Sequence, residues 1–161
     1  MVIQCDSREQ RWANVRNYLD ANGIKWTRSK VVVGDYIRMD NAMLSVDRKR
    51  DLQEVAQNLT QQHERFRREC VKAQDLGIRL IVLIEHGRGI NNLDDVRAWV
   101  NPRLEVSPYA VTGSRLAATM ETMARKYGVE WRFCQKQDTG KVIVQILQDA
   151  DAQAIGCVAN E

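Results

Sequence analysis

The apolar positions of the chain change period several times, and each change predicts an element. Val2-Ile3-Gln4-Cys5 reads as a short strand, after which Trp12, Val15 and Leu19 recur at helical spacing. Asp6-Ser7 stand where that helix needs a cap, and Gly23 stops it. Residues 24–33, 36–39 and 42–46 are runs rich in β-formers, punctuated by Gly34-Asp35 and Asp40-Asn41, and they predict an antiparallel meander. From residue 51 to residue 76 the pattern is helical. Leu52, Val55, Leu59, Phe66, Cys70 and Ala73 fall on its buried side, with a break near Thr60 and a stop at Gly77. Residues 78–85 are almost wholly apolar, as in a central strand covered on both faces. A short helix over 93–100, a helix over 113–126 capped by Thr112, a strand over 129–134 and a last helix from Asp138-Thr139 to residue 150 complete the pattern. A meander followed by alternating helix and strand predicts an α/β fold, a mixed central sheet with helices on both faces.

Composition narrows this picture without changing it. With 161 residues, 44% of them hydrophobic, the chain can bury one core, so residues 1–150 read as one domain and 151–161 as a flexible C-terminal tail. A charged fraction of 28% carrying both signs, with 9 Gly and 2 Pro, excludes disordered, collagenous and fibrous classes. The longest apolar run, residues 80–84, is far too short to cross a bilayer, and no basic and apolar leader pattern follows Met1. An intracellular, reducing location is expected. The 4 cysteines share no C-x-x-C spacing, and His63 and His86 lie far apart, which argues against structural zinc. Residues 1–148 hold 24 bases against 18 acids, or +6, a mild bias compatible with a polyanionic partner.

The candidate chemistry lies in Gly34-Asp35 and, on the next strand, Asp47-Arg48-Lys49. Side chains alternate along a strand, so Asp47 and Lys49 project to one face and Arg48 to the other. If Asp35 reaches the same point, two carboxylates converge beside one ammonium, the oxygen ligation a hard divalent cation needs. Such a cation polarises a phosphodiester and lowers the pKa of a bound water, while Lys49 orients that water or offsets transition-state charge. Taken alone the pattern is common by chance, because a charge cluster at a strand end is most often a solvated turn.

Further residues sharpen it. Asp6-Ser7-Arg8-Glu9, Gly34-Asp35-Tyr36, Val46-Asp47-Arg48-Lys49, Arg65-Phe66 and the strand Ile81-Val82-Leu83-Ile84-Glu85 together resemble the XPF/Hef-type structure-specific DNA endonucleases. That family's pattern of D-x-R-E, G-D, E-R-K-x(3)-D and G-R-[LF]-x-x-Q falls in the same order here, and the resemblance covers roughly residues 2–148. It implies a restriction-endonuclease-like core, Mg²⁺ or Mn²⁺ as cofactor, and branched, forked or flapped DNA as substrate. Carried over by position, Asp35 and Asp47 are the metal ligands, with Asp6 and Glu54 as further candidates, and Lys49 completes the catalytic set. Arg8, Glu9 and Arg48 support the site, and Arg65, Arg67, Arg68 and Lys72 are the candidate DNA contacts.

The sequence departs from the family in three places. Asp47 replaces Glu, which withdraws the carboxylate by one bond, about 1.5 Å. Gln53 stands at the x(3)-D position, with Glu54 one residue later, and Glu69 stands where the family has Gln. No tandem helix-hairpin-helix module follows, and in its shortness the chain is similar to stand-alone phage and prophage versions. The resemblance also implies pairing through this domain, as a homodimer or with a partner nuclease subunit, for which Trp99, Leu116, Met120 and Trp131 are candidate anchors. Two readings follow: a metal-dependent endonuclease, or a catalytically impaired nuclease-fold module that binds branched DNA or a partner nuclease. Plainer roles also fit, Asp6 to Glu9 as a helix cap and the basic run on 65–72 as a solvated charge ladder.

Overall fold

Strand β1 (Val2–Asp6) leads through helix α1 (Ala13–Ala21) into β2 (Lys25–Ser29), which returns parallel to β1. Strands β3 (Tyr36–Arg38) and β4 (Asn41–Lys49) form an antiparallel hairpin, and β3 also runs antiparallel to β1. Helices α2 (Leu52–Leu59) and α3 (His63–Asp75) then carry the chain to β5 (Arg79–Ile84), parallel to β4. After α4 (Leu93–Ala98), a 3₁₀ turn at Pro102–Glu105 and α5 (Gly113–Tyr127), strand β6 (Glu130–Phe133) adds parallel to β5, and α6 (Thr139–Gly156) closes the described chain. This computed structural model describes residues 1–156. Its sheet has the order β2-β1-β3-β4-β5-β6, so the anticipated mixed sheet with helices on both faces is the architecture found.

Period-two alternation divides the central strand between two cores. Leu80, Val82 and Ile84 of β5 pack with Leu52, Val55, Phe66, Cys70, Leu116 and Met120 of α2, α3 and α5. Ile81 and Leu83 pack on the other face with Val15 and Leu19 of α1 and Ile143 and Leu147 of α6. Covering on both faces is why residues 80–84 read as an unbroken apolar run. On β4, Leu44 and Val46 join the α1/α6 core, which turns Ser45, Asp47 and Lys49 toward α2 and α3.

Several local expectations need correction. There is no three-strand meander: a strand–helix–strand crossover makes β2 a parallel edge strand, and only β3 and β4 form a hairpin. Asp6 caps no helix, since α1 begins at Ala13 after Trp12. The last helix runs on to Gly156, past the expected domain end, and positions 157–161 of the expected tail lie outside the described residues. Leu116 and Met120 are buried in the molecule's own core, and the Trp131 indole donates to the Met120 carbonyl at 2.8 Å, so none of these three is a free docking anchor. The break near Thr60 is present between α2 and α3. No helix among the described residues is long and apolar enough to cross a membrane.

Candidate active site

The site begins at the turn into β3. Gly34 sits at φ +73°, and a Cβ there would collide with the Ser45 hydroxyl, which itself donates to the Val33 carbonyl at 2.6 Å. The turn delivers Asp35 between neighbouring strands: its amide donates to Val46 O at 2.9 Å, and its carbonyl accepts the Asp6 amide at 2.7 Å. One oxygen of its carboxylate, Oδ2, accepts the Arg48 amide at 2.8 Å. Burial, then the carboxylates of Asp47 and Glu9, push Asp35 well above the ordinary carboxylate pKa, against the pull of Lys49.

The end of β4 supplies the facing groups. Asp47 is 3% exposed, and its oxygens lie 3.0 and 2.9 Å from the Lys49 ammonium. Burial alone would lower the Lys49 pKa, but Asp47 first and then Asp35 and Glu54 raise it overall, so this lysine is an ammonium at neutral pH. Arg48, on the reverse face, reaches Glu9 at 2.7 Å and Glu85 at 3.0 Å. Asn14 of α1 donates to the other Glu85 oxygen at 3.3 Å, which ties the β1 loop, β4, β5 and α1 together beneath the site.

Around these groups opens a cleft of about 470 Å³, walled by the 6–9 segment, the Gly34 turn, β4 and α3. Glu69 of α3 projects into it and accepts the Gly34 amide at 3.0 Å; burial and then the Asp47 charge raise its pKa. Arg65, Arg68 and Lys72 line the same wall. Arg67, the fourth candidate DNA contact, is not among the residues lining this cleft, and its partners are Glu64 at 3.5 Å and Tyr127. Asp6 is likewise committed elsewhere. Its two oxygens take three hydrogen bonds from Arg8, at 2.7, 2.8 and 2.7 Å, and one from the Val31 amide at 3.0 Å, which makes Asp6 a clamp for the cleft rim. Burial raises its pKa, but these bonds outweigh burial and leave it lowered. Glu54 lines the cleft yet spends one oxygen on the Arg50 amide at 2.8 Å, while its own amide is capped by Asp51 at 2.9 Å.

The donor set suits a hard divalent cation of the kind that keeps several waters and takes only one or two protein carboxylates. Asp47 Oδ2 is buried and meets the Lys49 ammonium at 2.9 Å as an ion pair, with no hydrogen bond of its own, and Asp35 and Glu69 are carboxylates held at raised pKa in the same cleft. Among the described residues, no three His, Cys, Asp or Glu side chains are gathered closely enough to enclose an ion by themselves. Among the described residues the cysteines take no part: burial pushes the Cys5 and Cys70 thiols up to about 12 and Cys134 up to about 11.

The model of the ERCC4 domain matches residues 5–146. XPF from Aeropyrum pernix is similar in structure, with a TM-score of 0.68 at 18% identity, covering 98% of this chain and 68% of that one. XPF from Aeropyrum pernix in complex with DNA gives a TM-score of 0.67 at 18% identity over 94% of this chain and 66% of that one. The chain thus spans about two thirds of the length of each. No curated protein matches its sequence.

Proposed function

The chain belongs to the ERCC4 domain family, that of the XPF-type nucleases, and on that premise we propose that it is a divalent-metal-dependent DNA endonuclease acting on branched, forked or flapped DNA. The observation that carries this reading is the meeting of Asp35, Asp47 and Lys49 in one basic-walled cleft. Asp35 and Asp47 would hold Mg²⁺ or Mn²⁺, with Glu69 beside them. When bound, the cation supplies positive charge to the scissile phosphodiester and lowers the pKa of the attacking water.

The remaining work falls to the chain's own groups. Lys49 keeps its proton and places a fixed positive charge where the phosphoryl oxygens gain negative charge, a role in stabilisation rather than base catalysis. Arg65, Arg68 and Lys72 neutralise the phosphates entering the cleft. The Glu9–Arg48–Glu85 bridge on the reverse face fixes the strand carrying Asp47 and Lys49. Retention of both carboxylates together with the lysine favours this reading over a DNA-binding or partner-binding module that has lost cleavage.

Incubation of the purified chain with flap, fork, splayed-arm and linear duplex DNAs, with and without Mn²⁺, tests it. Cutting at junctions only with metal, abolished by Asp35→Asn, is the expected result. Parent-rate cutting by Asp35→Asn would show the site is elsewhere. Binding of branched DNA without cutting, in a chain that gains activity on Asp47→Glu, would establish the impaired module instead.

A further inference from the structure

A second cleft, of about 680 Å³, opens on the far side of α2, between that helix and the 101–111 segment with α5. It meets the catalytic cleft at Glu54, which lines both. Three features give it a ligand class. Arg50, Arg103 and Arg115 line it, and the Arg103 and Arg115 guanidiniums have no ion-pair partner among the described residues. Tyr109, which also lines it, is 96% exposed, so its ring faces are open to a stacking partner. The facing wall offers neutral amides, Gln53 and Gln57 of α2 and Gln61 of the turn that follows it.

The wall is built rather than loose. Asn101 is 2% exposed, and its side chain donates to Val111 O at 2.9 Å and accepts the Arg103 amide at 3.0 Å, which staples the segment into one shape. α5 is seated close behind it, where Gly113 leaves no room for a Cβ against the Val96 and Trp99 carbonyls.

We propose that this cleft binds a short stretch of single-stranded DNA, the unpaired arm of a branched substrate, an inference that rests on the nuclease reading for its place in catalysis. Arginines spaced along a groove track a phosphate backbone, and an exposed ring can stack only on a base whose face is free, which a duplex does not offer. Amides on the opposite wall can bond base edges without demanding one sequence. Continuity at Glu54 lets one strand pass from this groove toward the carboxylates.

Fluorescence anisotropy with a labelled oligothymidylate and a duplex of the same length, on the full chain in chelator, separates binding from cleavage. Tyr109→Ala should weaken oligothymidylate binding about five-fold or more with no change in salt slope, and Tyr109→Trp should restore it. Arg103→Ala and Arg115→Ala should each flatten the salt slope by about 0.7, the increment for one phosphate on a single strand. Duplex affinity should be unchanged in all of them. The inference is overturned if the parent does not bind oligothymidylate at low salt, if neither class of variant weakens it, or if duplex binding falls equally. A parent that binds through this groove yet cuts no branched DNA with Mn²⁺ would support the groove and overturn the nuclease reading alone.

Discussion

His86 carries an element to which it does not belong. Its Nδ1 accepts the Leu52 amide at 3.0 Å, at the start of α2, and only an unprotonated Nδ1 can do so. Burial holds its pKa below the ordinary histidine value, with Arg88 adding to the effect and Asp51 opposing it. Because the folded value is the lower one, this contribution to stability is complete above about pH 6.5 and is lost as pH falls through the folded value. Thermal unfolding followed from pH 7.5 down to 5 should show a decline that His86→Asn flattens, since an Asn oxygen accepts the same amide at any pH; superimposable profiles would sink the assignment. Lys49 makes a second prediction. Removing one partner of a buried ion pair costs about 3 kcal/mol, so Lys49→Met should lower Tm in chelator, and Mn²⁺ should raise the variant's Tm more than the parent's by replacing the lost charge. At this scale Asp47 and Lys49 were legible because strand alternation forces them together. Glu69 was noticed only as a departure from a motif. Helical spacing held the missing signal: 65, 68, 69 and 72 share one side of α3, with Phe66 and Cys70 buried, and Arg67 falls outside that set.

Between residue and fold stand the turn at Gly34 and the start of α2. Gly34→Ala adds a left-handed strain of about 1–2 kcal/mol to the collision with Ser45, and relief requires the Asp35 turn to move. Cleavage should therefore fall by far more than stability, which parallel denaturation and cleavage measurements can show; equal losses would make the glycine merely structural. Asp51 caps α2 through the Glu54 amide at 2.9 Å, and Asp51→Ala should cost about 1 kcal/mol by the same denaturation measurement. The strands themselves were readable from β-rich runs and turn residues, but their pairing was not, because an apolar run does not state its direction. The β1–α1–β2 order did state it: a helix between two strands is a crossover, and a crossover returns its strand parallel.

The molecule as a whole gathers every group of the candidate active site from its first 85 residues and uses the later elements to cover the sheet. That division explains why the site could be anticipated from ordered motifs while its second cleft could not, since residues from 50 to 119 meet there only after α4 and α5 pack. On duplex DNA the catalytic wall should dominate. Arg65→Ala and Arg68→Ala should each reduce the salt slope by about 0.9, whereas Arg67→Ala, turned to Glu64 and Tyr127, should leave it unchanged. Anisotropy across a salt series decides it, and an effect at Arg67 equal to the other two would mean the duplex crosses α3 on its opposite side.

Strand β4 carries the candidate catalytic groups Asp47 and Lys49 on one face and the buried Arg48 on the other, in consecutive positions. A slip of one position against β5 would drive Asp47 and Lys49 into the α1/α6 core and leave Arg48 facing the nucleic acid, stripping Glu9 and Glu85 of their counterion. A chain so misaligned would bury two charged groups in an apolar core and break a buried ion-pair network, and should not be stable. The alternation makes alignment of the candidate site a condition of folding: the register that buries the apolar face of β4 is the one that sets Asp47 and Lys49 in the cleft.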